Sequence, residues 1–255
     1  MRNHTLLKTI TALAAGIALF GCTSNGSGTS GSVTGTSTGT GGPPNDGTGT
    51  TSITSGGTTV SGNFICTQSA AAYGDVTTAV GTGGLVGADL TALLDTLGGN
   101  TASTLLNSVV NPNNVIDGNL ATFATYSLTL GLFTSAIDSV DLDVILPKGG
   151  TVPSGQFAVF GISFPKGTVD LSLVNKVEVA TYLNGVLQES NTISQSQLGL
   201  LGVGAGTPSA IWVGIEATKS YDTAVLSLAP GVLSADVGSA MYAYEFCPGG
   251  KLVSN

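Results

Sequence analysis

Asn184-Gly185 constrains this chain more than any other pair of its residues. The pair separates two strand-like runs, residues 177–183 and 186–189. A two-residue hairpin turn of type I′ needs positive φ at both central positions, and Asn followed by Gly meets that need at low steric cost. A tight antiparallel hairpin is therefore predicted here. Neighbouring runs carry the period of two that goes with it. Tyr126, Leu128, Leu130 and Leu132 alternate with Thr125, Ser127, Thr129 and Gly131, and Val140, Leu142, Val144 and Leu146 alternate around Asp141 and Asp143. Residues 157–164 read as a more fully buried strand, and 211–217, 223–228 and 240–246 bring the total to about eight. Many short strands with turn residues between them predict an all-β fold, an antiparallel β-sandwich of jelly-roll type. Ahead of the strands, Leu90, Leu93, Leu94 and Leu97 lie at helical spacing and stop at Gly98-Gly99, which predicts a short helix over 88–97. A second short helix is expected over 102–109, and no repeat of fixed period runs through the folded part.

The start of the core follows from composition. Residues 23–62 are four-fifths Gly, Ser and Thr, with Pro43-Pro44 in their midst. Such a segment cannot bury enough apolar surface to offset its chain entropy, and it reads as a disordered tether. As a flexible coil it spans about 35 Å. Before it come Arg2 and Lys8, an apolar run over 9–20, and Gly21-Cys22. This is the pattern of an export signal, and it is too short to cross a bilayer as a helix. Leu19-Phe20-Gly21-Cys22 resembles the lipobox of bacterial lipoproteins, whose Cys becomes the lipid-bearing N-terminus; Phe20 is bulkier than the small residue usual there. Ordinary secretory cleavage beside an incidental Cys22 is the alternative. The resemblance implies a signal peptide over 1–21, a lipidated Cys22 and tether over 22–62, and a β-sandwich domain over 63–255. It also implies export and attachment to a membrane through the N-terminal lipid. Thr23 after the Cys resembles lipoproteins forwarded to the outer membrane or cell surface.

Charge excludes several function classes. After Cys22 there are five lysines and no arginine against 15 acidic residues, a formal charge of −10. Nucleic-acid binding needs a basic footprint to neutralise phosphates, and anionic lipid headgroups need one too. The single histidine, His4, lies within the expected signal peptide. The exported chain thus has no imidazole for general-base work or metal ligation, and no Gly-x-Ser-x-Gly elbow is present. A non-enzymatic role is expected. Gly202-Val203-Gly204-Ala205-Gly206 lacks a lysine and reads as a flexible loop rather than a phosphate cradle.

With Cys22 taken by lipid, Cys66 and Cys247 are the remaining pair, able to bond in an oxidising compartment or to stay as two buried thiols. Residues 111–122, with Val115-Ile116-Asp117-Gly118-Asn119 followed by Thr122, resemble the early loop of discoidin-type, galactose-binding-like jelly rolls. Tyr242-Ala243-Tyr244-Glu245-Phe246-Cys247 resembles their last strand, and Tyr221-Asp222-Thr223-Ala224-Val225 the strand before it. The family's terminal disulfide matches the placement of Cys66 and Cys247. Two features depart from the pattern: Ala124 stands where a Trp is usual, and the basic residue near the final strand is missing. The resemblance implies a structural calcium held by Asp117, Asn119 and Thr122, with Glu245 brought alongside; calcium takes six to eight oxygens of this kind. An Asx-type turn closed on its own backbone needs no ion and explains the same loop.

Two further groups bear on ligands. In the strand over 211–217, Ile211, Val213 and Ile215 share one face while Trp212, Gly214 and Glu216 share the other. An outward Trp212 beside Glu216 would make a stacking platform for a sugar, unless a loop or helix covers it. Tyr182 with Glu178 forms a second such face. Asp141 and Asp143 share a strand face about 6.6 Å apart, a separation at which paired carboxylates can hydrolyse glycosides, although a solvated polar face is the expected reading. The expected function is a surface binding module for a glycan. The competing reading is a structural or adhesive protein that contacts other proteins through exposed strand edges.

Overall fold

The computed structural model describes residues 51–60, 62–97, 99–129, 137–165, 174–200, 210–231 and 237–253. The expected signal peptide, Cys22 and the tether up to residue 50 lie outside the described residues, as do Leu130, Leu132 and the glycine-rich run over 202–206.

The described chain opens with strands β1 (Thr51–Ser55), β2 (Thr58–Val60), β3 (Asn63–Gln68) and β4 (Thr77–Gly81). Helices α1 (Gly87–Thr96) and α2 (Gly99–Leu106) follow, then the short β5 (Val109–Val110). Eight strands then make the sandwich: β6 (Ala124–Leu128), β7 (Val140–Ile145), β8 (Phe157–Ser163), β9 (Val174–Leu183), β10 (Val186–Ser194), β11 (Ile211–Glu216), β12 (Thr223–Pro230) and β13 (Val237–Cys247). The last strand is β14 (Gly249–Val253), and a short helix α3 (Gln195–Leu200) follows β10.

These eight strands pair as a nested set. β9 and β10 form the predicted hairpin, with φ 51° at Asn184 and 78° at Gly185. Around it β8 pairs with β11, β7 with β12, and β6 with β13, every pair antiparallel. Successive pairs go to opposite layers: one sheet runs β10-β9-β12-β7-β4, and the other runs β2-β1-β11-β8-β13-β6-β5. A long hairpin rolled so that its pairs alternate between two sheets is a jelly roll. The Asn184-Gly185 turn is the tip of that roll.

Alternation decides the interior. Leu142 and Val144 of β7, Val177 and Val179 of β9, and Leu226 and Leu228 of β12 meet Phe160 and Ile162 of β8, Val213 and Ile215 of β11, and Phe246 of β13 in one core. Burying each such side chain contributes about 1.5–3 kcal/mol. Tyr126 also lies in this core, where its hydroxyl donates to the carbonyl of Leu226 in the opposite sheet (2.7 Å) and so avoids an unpaired buried donor.

Both outer faces carry a partial third layer, and here the structure departs from expectation. The fold starts upstream of residue 63. β1 and β2, assigned by composition to the tether, extend the large sheet, with β1 running parallel to β11 from Thr51 against Trp212 to Ser55 against Glu216. Threonine is β-branched and suits a strand, and Ile53 supplies the buried contact that a tether has no use for. The ribbon of β3 and β14 covers the neighbouring outer surface. Phe64 packs edge-on against Phe157 and Trp212, with centroids 5.1 and 5.2 Å away. Gly250 makes room for it, since a Cβ there would fall 2.1 Å from the Phe64 ring. Ile53, Phe64, Phe157, Val159, Trp212 and Cys247 form a second apolar cluster. Cys66 and Cys247 are disulfide-bonded, which ties β3 to β13. On the other sheet, α1 lies over β4 because Gly81 leaves space for Leu90; a Cβ at Gly81 would sit 3.0 Å from the Leu90 side chain.

Candidate functional site

The covering of the five-stranded sheet creates a cleft. Residues 82–86 cross its outer face on the way to α1, and Gly83 and Gly84 both take positive φ (65° and 66°), which glycine alone adopts freely. That conformation turns their amides toward β7. Gly84 N donates to Asp141 Oδ2 (2.6 Å), Gly83 N donates to Ser139 Oγ (2.8 Å), and Ser139 Oγ donates to Asp141 Oδ1 (2.8 Å). Asp141 is thereby used as an anchor for the loop. Its carboxyl is held above the ordinary value by burial, partly offset by these donors.

Asp143, two residues along β7, is fully buried and neither of its oxygens meets a donor. Burial, with the adjacent Asp141 adding to it, pushes its carboxyl up to about 8, so it stays protonated at neutral pH. This corrects the reading of Asp141 and Asp143 as a solvated polar face: the segment over 82–86 and α1 seal them. Neither lines the cleft.

Beside this anchor lies a cavity of about 220 Å³. Its floor is the outward row of β9 and β12, with Glu178, Ala180 and Tyr182 from the first and Ser227 and Ala229 from the second. The register explains the row, because Ser227 stands opposite both Asp141 on β7 and Glu178 on β9. Gly83, Gly84, Asp138 and Ser139 form one wall, with Lys176 and Leu187 on the other side. Lys176 Nζ donates to Glu178 Oε2 (2.8 Å), as does Thr192 Oγ1 (3.1 Å). Tyr182 is only 8% exposed, yet its hydroxyl makes no hydrogen bond among the described residues. Burial, then the charges of Asp141, Glu178 and Asp143, push that phenol up to about 12, so it is a donor at any physiological pH.

The loop with the resemblance lies elsewhere in the fold. Asp117 Oδ1 accepts Asn119 N (2.8 Å), Thr122 Oγ1 reaches both Asp117 oxygens (3.0 and 2.8 Å), and Asn119 Oδ1 accepts Ala121 N (3.0 Å). This is an Asx turn closed on its own side chains. Glu245 is brought alongside across 127 residues of sequence, its Oε2 accepting Gly118 N (3.0 Å). Its Oε1 is buried without a donor. Burial first, with Asp117 adding to it, raises the carboxyl to about 8.

The sugar platform expected at Trp212 does not exist. Trp212 is fully buried beneath Phe64 and Ile53, and its indole N–H has no partner. Glu216 is half-buried at the end of the β1 pairing and lines no part of the cleft. Tyr182 and Glu178 do share one cavity. Gly83, Gly84, Asp138, Ser139, Lys176 and Ser227 were not singled out from sequence. Only the Gly83-Gly84 pair ahead of a helix offered a local signal, since the rest are joined by strand register.

No protein-family model and no curated protein matches the chain. Among solved structures it is similar to the family 32 CBM from C. perfringens NanJ in complex with galactose (14% identity, 67% of this chain and 94% of that one, TM-score 0.32). It is also similar to an arabinose-bound MgGH51 α-L-arabinofuranosidase (16% identity, 56% of this chain but 21% of that one, TM-score 0.34). A third is CBM28, a carbohydrate-binding module specific for non-crystalline cellulose (8% identity, 57% and 86% coverage, TM-score 0.32). Likenesses this distant carry no conclusion about ligands. The jelly roll stands on the strand pairing of the chain itself.

Proposed function

We propose that this chain is an exported lipoprotein, anchored through Cys22, that presents a non-catalytic jelly-roll module for binding a sugar-sized, hydroxyl-rich ligand. The observation that carries the binding reading is the cleft on the five-stranded sheet. Its volume of about 220 Å³ suits one sugar unit. Its lining pairs apolar surface from Ala180, Leu187 and the Tyr182 ring with acceptors and donors from Glu178, Asp138, Ser227 and the Tyr182 hydroxyl. Small-ligand sites combine apolar surface with convergent polar groups, and in this cleft the two are about evenly represented, which suits a hydroxyl-rich ligand. The non-catalytic part is supported by the state of Asp141 and Asp143: one is committed to the Gly83-Gly84 loop and the other is sealed from solvent.

We further propose a structural calcium at Asp117, Asn119, Thr122 and Glu245, which would have to displace the Asx-turn bonds that the Asp117 oxygens now accept. All four supply oxygens at one loop, and Glu245 Oε1 is a buried acceptor with no donor. The ion would neutralise the neighbouring Asp117 and Glu245 carboxylates and pin the loop to β13. Calcium is then expected to raise the melting temperature of the chelated protein, and an unchanged Tm removes it.

The binding test is a glycan array probed with the chain carrying Cys22→Ser, which eliminates lipid attachment. Binding lost in Tyr182→Phe and Glu178→Gln supports the cleft. Silence from a folded protein favours protein contacts instead, for which the exposed Val186 and Leu187 at the edge of β10 are the surface to probe. Anchoring is tested separately, by incorporation of labelled palmitate into the unmodified chain and its loss in Cys22→Ser.

A further inference from the structure

The cleft's charge is one-sided. Asp138 and Glu178 stand in its lining and Asp141 lies directly behind the wall, while Lys176 is the single cation. That lysine is already engaged with Glu178. Both partners of Glu178, Lys176 Nζ and Thr192 Oγ1, use Oε2, so Oε1 is left without a partner among the described residues. Asp138 is exposed at the rim, with its Oδ1 beside Gly83 and no hydrogen-bond or ion-pair partner among the described residues. A second observation points to a ligand rather than to a solvated acidic patch. Tyr182 is more than nine-tenths buried, lines the same cavity, and keeps its hydroxyl unpaired. That hydroxyl has no partner among the described residues and opens into the cleft, so it is free to bond a ligand docked there.

We propose that the ligand of this cleft is an amino sugar carrying a free ammonium group, held by Asp138 and Glu178 with the Tyr182 hydroxyl bonded to a neighbouring sugar oxygen. The proposal rests on the sugar-binding reading above and narrows it to one class. The surrounding groups feel the same negative field. Lys176 is held above the ordinary lysine value, by its bond to Glu178 and then by the charges of Glu178, Asp138 and Asp141. A neutral sugar gains nothing from this field and a uronic acid is repelled by it. An ammonium facing two partly exposed carboxylates gains about a factor of ten in affinity, toward the upper range of what two such screened pairs give together.

Calorimetric titration of the Cys22→Ser chain at pH 6 and low salt tests it. The probes are a glucosamine tetramer, its fully N-acetylated counterpart, and a galacturonic acid tetramer. The expected result is binding of the amine about tenfold tighter than of the N-acetylated form, with no binding of the uronate. The advantage should fall toward unity in Asp138→Asn, and in wild type at 0.5 M salt, as screening requires. If the N-acetylated tetramer binds as tightly as the amine, the ammonium proposal is overturned while the sugar-binding reading stands. If no glycan binds to a protein whose unfolding transition is intact, both fall together. Asp138 is at the rim and bonds nothing in the fold, so its substitution leaves stability unchanged and isolates the charge.

Discussion

Asp143 offers a direct test of how the five-stranded sheet is covered. Its carboxyl is fully buried with neither oxygen paired, and it is raised from 3.8 to about 8. The sign follows from comparing the two states. Below about pH 4 the group is neutral both folded and unfolded, and costs little. Between about 4 and about 8 the unfolded chain releases the proton while the folded chain retains it, so stability falls as pH rises. Each such group contributes about 1.4 kcal/mol per pH unit. The accumulated loss by pH 8 is on the order of 5 kcal/mol, comparable with the whole stability of many domains. Asn keeps the shape of the protonated acid but has no proton to lose. Its buried amide is itself unpaired, at about 1–3 kcal/mol. The two stability curves should therefore cross between about pH 4.5 and 6: Asp143→Asn is clearly the more stable protein at pH 8 and loses that advantage as pH falls toward 5. The assay is urea unfolding at pH 5, 6, 7 and 8 with a chelator present, reading midpoint and m-value. Parallel curves, or a wild type whose stability climbs with pH, would refute the burial argument for Asp143.

Further expectations follow from the covering layers and the cross-link. Trp212→Ala should cost about 3–5 kcal/mol, because the ring fills the space beneath Phe64 and Ile53; a loss below about 1 kcal/mol in a urea titration contradicts its burial. Reduction, or paired Cys66→Ser and Cys247→Ser, removes a link across a sequence separation of 181 and should cost about 5 kcal/mol on the chain-entropy model, seen as a large drop in Tm. Gly185→Ala places a side chain at φ 78° and should cost about 1–2 kcal/mol, with amide exchange accelerated first in β9 and β10; uniform exchange would mean that the turn is not the tip of the roll.

The sequence by itself determined the roll. Period-two alternation in residues 140–146 and the two faces of 211–217 assigned the inward side chains correctly, since a strand's side chains must alternate whatever it packs against. Asn184-Gly185 marked the innermost hairpin because its backbone demand is local, and Cys66 and Cys247 were a legible pair because few thiols were in play. Only the tertiary structure decided what became of the outward faces. Trp212 and Asp143 both point away from the core, as alternation says, but a strand carries no record of whether another layer will be laid on its outer side. That layer comes from distant segments: Ile53 and Phe64 over Trp212, and residues 82–90 over Asp141 and Asp143. β1 stayed hidden within a Gly/Ser/Thr run because its stability comes from pairing with β11, not from its own composition. The cleft was illegible for the same reason. Its lining residues come from five places along the chain, and they meet only once register sets Ser227 between Asp141 and Glu178.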